Sequence, residues 1–305
     1  MHGSDRTASV RRVLWSRATA VDLLLLCSVP AILLAVASLP HATRESLAFE
    51  YTAPTLGTAL ASSFVHLDTA HLLTNLVGYA LVVPAAYLPS VLSGDRERFR
   101  VAFVSLLLAC PVLLPYLNLA VARRGVSLGF SGVLLALYGY LPLALAAYLD
   151  RQFGVGPDRK TAPLLFFVGV TVVSVLTLAA VATNPVRVPV RGVVVPVTQV
   201  LVATLVGLVA ALVLVVALYA LSTVDDWRAV VPTLHAATHQ SGHFELALVA
   251  TVVFLAVPVA TFPVDPVVNG AVVNLYTHLV GYALGFTGPY VTLEVRRLLF
   301  PAADA

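Results

Sequence analysis

Residues Val197–Leu221 read VTQVLVATLVGLVAALVLVVALYAL, a continuous apolar run without a charged side chain. An α-helix needs roughly 20 predominantly apolar residues to cross the hydrocarbon core of a bilayer. This run meets that length, so it predicts a helix that spans a membrane.

Seven further stretches have the same character. In chain order they are Val21–Leu39, Ala70–Leu88, Val101–Val121, Val126–Leu149, Pro163–Val181, Phe244–Phe262 and Val267–Gly288. The whole chain is 59% hydrophobic and 11% charged, with a mean hydropathy of +0.94, whereas soluble domains are about 45–50% apolar and about 25% charged. We therefore predict an all-α, polytopic transmembrane helical bundle with about eight spans.

The positive charges predict the orientation of these spans, because short loops rich in Lys and Arg stay cytoplasmic. With the N-terminus inside, the inner segments hold thirteen of the 18 Lys and Arg residues: Arg6, Arg11, Arg12, Arg17, Arg96, Arg98, Arg100, Arg151, Arg159, Lys160, Arg228, Arg296 and Arg297. The outer segments hold Arg44, Arg123, Arg124, Arg187 and Arg191. We expect a multi-pass protein of the cell membrane with both termini cytoplasmic. No clustered basic face suggests nucleic acid, so the lipid bilayer is the expected surrounding.

Several kinds of chemistry are disfavoured. All 15 acidic residues lie in loops or at the ends of spans, which argues against an ion-coupled transporter with a carboxylate relay. Cys27 and Cys110 lie within spans, at a spacing that suggests neither a disulfide nor a metal cluster. No phosphate-binding glycine loop, nucleotide fingerprint or H-E-x-x-H motif occurs. We expect no cofactor and no catalytic metal, so any chemistry must use polar residues in or beside the membrane.

Three short motifs supply such residues. The first opens the second span with two histidines and an asparagine, the second places a serine among glycines at the start of the fourth span, and the third places a histidine before two glycines in the last span. Their members are His66, His71, Asn75, Gly129, Ser131, Gly132, His278, Gly281 and Gly285. Glycines at such positions let two helix backbones approach closely.

Together these motifs resemble those of the rhomboid family of intramembrane serine proteases. The family pattern is H-x-x-x-x-H-x-x-x-N in the second core span, G-x-S-G at the start of the fourth, and H-x-x-G-x-x-x-G in the last. The resemblance implies a six-helix core and hydrolysis of peptide bonds in or near transmembrane segments of membrane protein substrates. It also implies that Ser131 is the nucleophile, that His278 is its general base, and that His71 and Asn75 stabilise the oxyanion.

A Ser-His dyad suits this environment, because a neutral imidazole can activate a serine near neutral pH and an unpaired carboxylate in a membrane is costly. The chain departs from the family in having three spans between Ser131 and His278 instead of one, and in having Leu135 where many relatives have an aromatic residue. An odd number of intervening spans keeps both residues at the outer side. The predicted regions are a cytoplasmic segment 1–20, a transmembrane domain 21–289 with extra helices between about 163 and 262, and a cytoplasmic tail 290–305.

Other interpretations stay open. A catalytically silent rhomboid-like protein that binds membrane clients is the main alternative, and a small-molecule transporter is the third. Asn274, one turn before His278, is a candidate for orienting that imidazole. His235, His239 and His243 recur every four residues, a spacing that suits either a divalent metal site or a solvated loop.

Overall fold

Helices make up nearly all of the regular structure. The computed structural model describes residues 10–121, 125–184, 187–190, 193–223, 232, 235–240, 242–263, 267–268, 271–272 and 274–300. These residues contain eleven helices and three two-stranded antiparallel pairs. Of the arginines used above for orientation, Arg6, Arg123, Arg124, Arg191 and Arg228 lie outside the described residues, as do the chain ends 1–9 and 301–305.

The helices, in chain order, are α1 (Val10–Arg17), α2 (Ala20–Ala37), α3 (His41–Ser46), α4 (Leu56–Ser62), α5 (Thr69–Leu92), α6 (Arg96–Asn118), α7 (Ser131–Phe153), α8 (Asp158–Thr183), α9 (Thr198–Thr223), α10 (His243–Thr261) and α11 (Leu275–Leu299). The strands are β1 (Phe49–Glu50), β2 (Val126–Ser127), β3 (Arg187–Val190), β4 (Val193–Pro196), β5 (Val267–Val268) and β6 (Ala271–Val272).

Seven of the described helices are long and apolar enough to cross a membrane, namely α2, α5, α6, α7, α8, α9 and α10. The chain is thus a polytopic helical membrane protein, which confirms the predicted class, with one such helix fewer than the eight predicted. The difference falls on α11. Its sequence, LYTHLVGYALGFTGPYVTLEVRRLL, contains polar and small residues that lower its mean hydropathy. Such residues suit a helix that packs against α6 and α7.

Two predicted spans begin too early. The predicted fourth span begins at Val126 but α7 begins at Ser131, and the predicted last span begins at Val267 but α11 begins at Leu275. In both cases the preceding residues form strands, β2 paired with β1 and β5 paired with β6. A short valine-rich run fits a strand or a helix equally well, so hydropathy alone cannot separate them. At α7 the break is fixed by Gly129, whose φ is +106°.

Helix α7 lies at the centre of the bundle. Every residue from Gly132 to Tyr148 is buried, and α5, α6, α8, α10 and α11 all pack against this helix. Helix α9 is its opposite, because it packs on α8 and only Leu212 and Thr223 along its length are buried. In a bilayer, a helix with this exposure presents its apolar side chains to lipid.

A tyrosine hydroxyl replaces the hydrogen bond that a proline removes from α2. Pro30 lies inside this helix and has no amide hydrogen, so the carbonyl of Leu26, four residues earlier, lacks its helical donor. The hydroxyl of Tyr79, from α5, donates to that carbonyl at 2.8 Å. The bond satisfies a polar group that lipid could not and ties α2 to α5.

An ion pair joins the N-terminal parts of α2 and α6. Arg100 Nε lies 2.6 Å from Asp22 Oδ1, and Asp22 is 1% exposed. The second carboxylate oxygen accepts from the backbone amide of Thr19 at 2.8 Å, and the Thr19 hydroxyl accepts from Arg100 at 2.7 Å. The carboxylate is therefore buried with its partners in place, as a charge in such a position requires.

Candidate active site

Ser131 and His278, 147 residues apart in sequence, meet at the N-terminal ends of two packed helices. Ser131 is the first residue of α7, and His278 lies in the first turn of α11. Ser131 Oγ lies 2.9 Å from His278 Nε2. Ser131 is half-buried, whereas His278 is 6% exposed. The predicted nucleophile and its predicted base are therefore in hydrogen-bond contact.

The other nitrogen of His278 determines which tautomer is present. His278 Nδ1 lies 2.9 Å from the backbone carbonyl oxygen of Thr261, which can only accept. Nδ1 therefore carries the proton in the neutral ring, and Nε2 accepts from the Ser131 hydroxyl. The ring of Phe262 packs edge-on against the imidazole, with centroids 5.8 Å apart. An aromatic side chain thus contacts the imidazole although Leu135 occupies the position for which the rhomboid resemblance predicts one.

The turn before Ser131 presents the helix start to the site. The Gly129 amide donates to the Ser62 carbonyl at 2.9 Å, and a Cβ on Gly129 would lie 2.6 Å from a ring carbon of His71. Gly129 is therefore required both by its positive φ and by the imidazole packed over it. The first amide groups of a helix have no hydrogen-bond acceptor within the helix, and these groups attract negative charge.

The first motif forms a cluster of two imidazoles and an amide. The rings of His66 and His71 meet edge to face with centroids 4.9 Å apart. Asn75 Nδ2 donates to the His71 carbonyl at 2.9 Å and to His66 Nε2 at 3.1 Å. The Arg44 guanidinium, from α3, donates to the His66 carbonyl at 2.6 Å. Asp68 caps α5 by accepting from the His71 amide at 2.8 Å.

These contacts separate the roles predicted for His71 and Asn75. His71 lies against Gly129, beside the start of α7, and is half-buried. Asn75 is 2% exposed, and its amide nitrogen bonds the cluster in this structure. To donate to an oxyanion, Asn75 must release one of those bonds. Its role in the present geometry is to hold the two histidines in place.

Burial keeps His66 neutral. It is 1% exposed, and burial, followed by the neighbouring His71, lowers the pKa of His66 to about 4. Its Nε2 faces two donors, the Asn75 amide and the Phe130 backbone amide at 3.4 Å. A neutral ring that accepts at Nε2 suits both.

A polar network that the sequence did not reveal anchors the start of α11. Asn118, the last residue of α6, is 1% exposed. It donates to the Thr277 hydroxyl at 2.6 Å and accepts from Asn274 Nδ2 at 2.9 Å. Asn274 in turn caps α11 by accepting from the Thr277 amide at 3.2 Å. The side chain of Asn274 therefore bonds Asn118 and Thr277, and it contributes to the site by fixing the turn that holds His278.

Close contact between α7 and α11 brings the pair together. A Cβ on Gly281 would overlap the carbonyl oxygen of Gly132, and a Cβ on Gly285 would overlap that of Ala136. A Cβ on Gly132 would lie 2.6 Å from the Thr277 side chain. The glycines of the second and third motifs therefore face each other across one helix contact, and larger residues would separate the two helices.

The three histidines near the start of α10 do not form one site. The rings of His235 and His239 lie 5.0 Å apart, but His243 is buried and its Nδ1 lies 2.9 Å from the hydroxyl of Tyr148. Among the described residues, no group of three or more His, Cys, Asp or Glu side chains could hold a metal ion. The spacing in sequence therefore does not translate into a shared ligand set.

No protein-family model, curated protein or solved structure matches this chain. A function for the chain therefore rests on the geometry around Ser131 and on the motifs that supply it.

Proposed function

We propose that this chain is a rhomboid-type intramembrane serine protease, which hydrolyses peptide bonds in or near the transmembrane segments of other membrane proteins. The observation that carries the proposal is the 2.9 Å contact between Ser131 Oγ and His278 Nε2. The Thr261 carbonyl holds the same ring in the tautomer that leaves Nε2 free to take a proton. This is the arrangement that nucleophilic catalysis by serine requires.

The reaction follows from these atoms. Ser131 Oγ attacks the scissile carbonyl carbon while His278 Nε2 takes the hydroxyl proton. The C–N bond then breaks, and the amine leaves with the proton from His278. Water attacks the resulting acyl ester while His278 takes its proton. The C–O bond to Ser131 then breaks, His278 returns the proton to Ser131 Oγ, and the carboxylate product is released. The chain's own residues supply every group that moves a proton, so no cofactor is needed.

The negative oxygen formed during attack needs hydrogen-bond donors. The start of α7 offers the backbone amide of Ser131, and His71 lies next to this turn over Gly129. Donors of this kind are worth about 3–4 kcal/mol each in soluble hydrolases. Asn75 assists by fixing His71, and it can donate directly once its bond to His66 is exchanged for one to the substrate.

We also propose that α11 crosses the membrane, which makes eight spans. The pairs Gly132–Gly281 and Ala136–Gly285 advance together along α7 and α11, so the two helices run in the same direction. Near the far end Arg297 holds the carboxylate of Asp158, the first residue of α8, at 2.9 and 3.0 Å. Helix α11 packs against α7 and reaches the start of α8, so we attribute its low hydropathy to contact with neighbouring helices and not to a length too short to cross the membrane. Both termini are then on the cytoplasmic side.

In this proposal the six-helix core consists of α2, α5, α6, α7, α10 and α11, and α8 with α9 is the inserted pair. Helix α10 packs against α5 and α7 and delivers Thr261 to His278, whereas α9 contacts α8 and faces outward. Substrates are membrane proteins whose helices unwind readily at one end, because a fully bonded helix hides its carbonyls.

The decisive experiment uses purified protein in liposomes with a panel of single-span reporter proteins and a fluorophosphonate, which labels activated serines. We expect the wild type to cut a reporter and to carry the label on Ser131, as mapped by mass spectrometry. Ser131→Ala and His278→Ala should reduce both signals to background. Ser38→Ala and His235→Ala, at exposed positions away from the site, are the matched controls and should retain both.

Two outcomes contradict the proposal. Equal cleavage by wild type and by Ser131→Ala would identify a contaminating protease. A folded wild type that neither cuts any reporter nor accepts the label would favour the silent, client-binding class instead.

A further inference from the structure

Helix α10 contains a proline just before the turn that reaches His278. Pro258 lies inside the helix and has no amide hydrogen to donate to the carbonyl of Phe254, four residues earlier. Helix α10 ends at Thr261, three positions after Pro258. The turn that supplies the Thr261 carbonyl to His278 is therefore attached to the rest of α10 through a position that lacks a helical hydrogen bond.

The missing donor is replaced from α7. The hydroxyl of Tyr138 donates to the Phe254 carbonyl at 2.6 Å. Tyr138 is 1% exposed and Phe254 is 2% exposed, so water does not compete for this bond. The Tyr138 ring also stacks between Phe254, at 5.9 Å, and Tyr282 of α11, at 5.1 Å. One side chain thus contacts the helix that orients the imidazole and the helix that carries it.

Tyr138 and Ser131 share a helix and a face. They are seven residues apart, two turns of α7, a spacing that returns to the same side. The connection from Tyr138 runs through Phe254 to Thr261, from there to His278, and back to Ser131. Helix α7 therefore carries both the nucleophile and the group that fixes the orientation of its base.

We propose that Tyr138 is a positioning residue for His278: its hydroxyl substitutes for the amide absent at Pro258 and so fixes the last turn of α10, from which Thr261 orients the imidazole. The proposal rests on the proteolytic function proposed above. It assigns to the hydroxyl of Tyr138 a role distinct from that of its ring, and this distinction makes it testable.

The experiment measures the rate of fluorophosphonate labelling of Ser131 and the kcat and KM for a cleaved reporter. Tyr138→Phe keeps the ring and its stacking but removes the donor. We expect labelling and kcat to fall about tenfold with KM little changed, because a misplaced base lowers the rate rather than the affinity. Tyr79→Phe is the matched control. It also removes a tyrosine hydroxyl that donates to a carbonyl left without its helical donor by a proline, but this carbonyl lies on α2. It should keep the wild-type labelling rate.

A second substitution separates positioning from packing. Pro258→Ala restores an amide that can bond the Phe254 carbonyl within α10, so the Tyr138 hydroxyl becomes dispensable. We expect Tyr138→Phe to lose activity in the native background and to have little further effect in the Pro258→Ala background. Such non-additivity is the mark of two residues acting on one group.

Each result decides the matter. Equal labelling of wild type and Tyr138→Phe, or an equal loss in both backgrounds, overturns the inference and leaves the proposed function intact. If Tyr138→Phe does not fold, the double variant Tyr138→Phe, Pro258→Ala still tests the inference. Slow labelling of this folded double variant, when Pro258→Ala alone is labelled at the wild-type rate, also overturns the inference. A wild type without any labelling refutes the proposed function and this inference together.

Discussion

Replacing Gly285 by alanine should separate the two helices that carry Ser131 and His278. The new Cβ would overlap the backbone oxygen of Ala136, which cannot rotate away. Carbon–oxygen contacts begin at about 3.3 Å, so α7 and α11 have to move apart by roughly 1.5 Å. The matched control is Gly288→Ala on the same helix, where a Cβ meets nothing within 4 Å.

The size of the effect follows from two opposing terms. Overpacking a tight contact costs about 1–3 kcal/mol, whereas alanine gains up to about 1 kcal/mol over glycine inside a helix. We expect Gly285→Ala to lose about 1–2 kcal/mol and Gly288→Ala to be neutral or slightly stabilising. Activity should suffer more than stability, because a displacement of about 1 Å in a catalytic group can cost about 10²-fold in rate.

The assay can use a thiol already present in the bundle. Cys110 is 1% exposed, whereas Cys27 is exposed, so in a Cys27→Ser background the labelling of Cys110 on heating reports unfolding. Labelling of Ser131 by fluorophosphonate, measured well below the unfolding temperature, reports the geometry of the dyad. Equal unfolding temperatures and equal Ser131 labelling in Gly285→Ala and Gly288→Ala would refute the close contact of α7 and α11.

Three further predictions concern the supports of the site and the bundle. Asn118→Ala should cost about 1–2 kcal/mol, because it leaves the half-buried side chains of Asn274 and Thr277 without their bonds to Asn118. It should also slow Ser131 labelling, and unchanged labelling would contradict its supporting role. Asp22→Ala should cost about 2 kcal/mol of stability, less than the ~3–5 kcal/mol of a fully buried pair, because Arg100 is 20% exposed. It should leave Ser131 labelling unchanged; a thermal scan checks the first expectation and the fluorophosphonate checks the second. The pKa of His66 is lowered from 6.5 to about 4 in the folded protein, so the free energy of unfolding should be at its full value above pH 6.5 and fall by up to about 3 kcal/mol as the pH decreases towards 4. His66→Gln should reduce this pH dependence, and an unaltered pH dependence would assign it to other groups.

The spans were predictable because their signal is local. The first predicted span, Val21–Leu39, and α2, Ala20–Ala37, agree within two residues, since twenty apolar residues in a row have few alternatives in a bilayer. The starts of α7 and α11 were not predictable in this way. Strand pairing ahead of each helix depends on a partner segment, and for β2 that partner is about 75 residues earlier.

The site was predictable in its side chains but not in its backbone. The motifs nominated Ser131 and His278 together, and the structure brings the two into contact. The carbonyl that orients the imidazole belongs to Thr261, and any residue type could supply it, so no sequence pattern marks it. The role of Asn118 was not predictable for a related reason. An asparagine at a helix end is common, and its partners lie more than 150 residues later in the chain.

The long separation between Ser131 and His278 has a consequence for biosynthesis. Helix α7 leaves the ribosome well before α11, so a nascent chain inserted as far as α10 already holds the proposed nucleophile but has no base beside it. Membrane proteins assembling nearby are then not exposed to an active protease until translation reaches α11. On this proposal, the insertion of α11 beside α7 is itself the activation step.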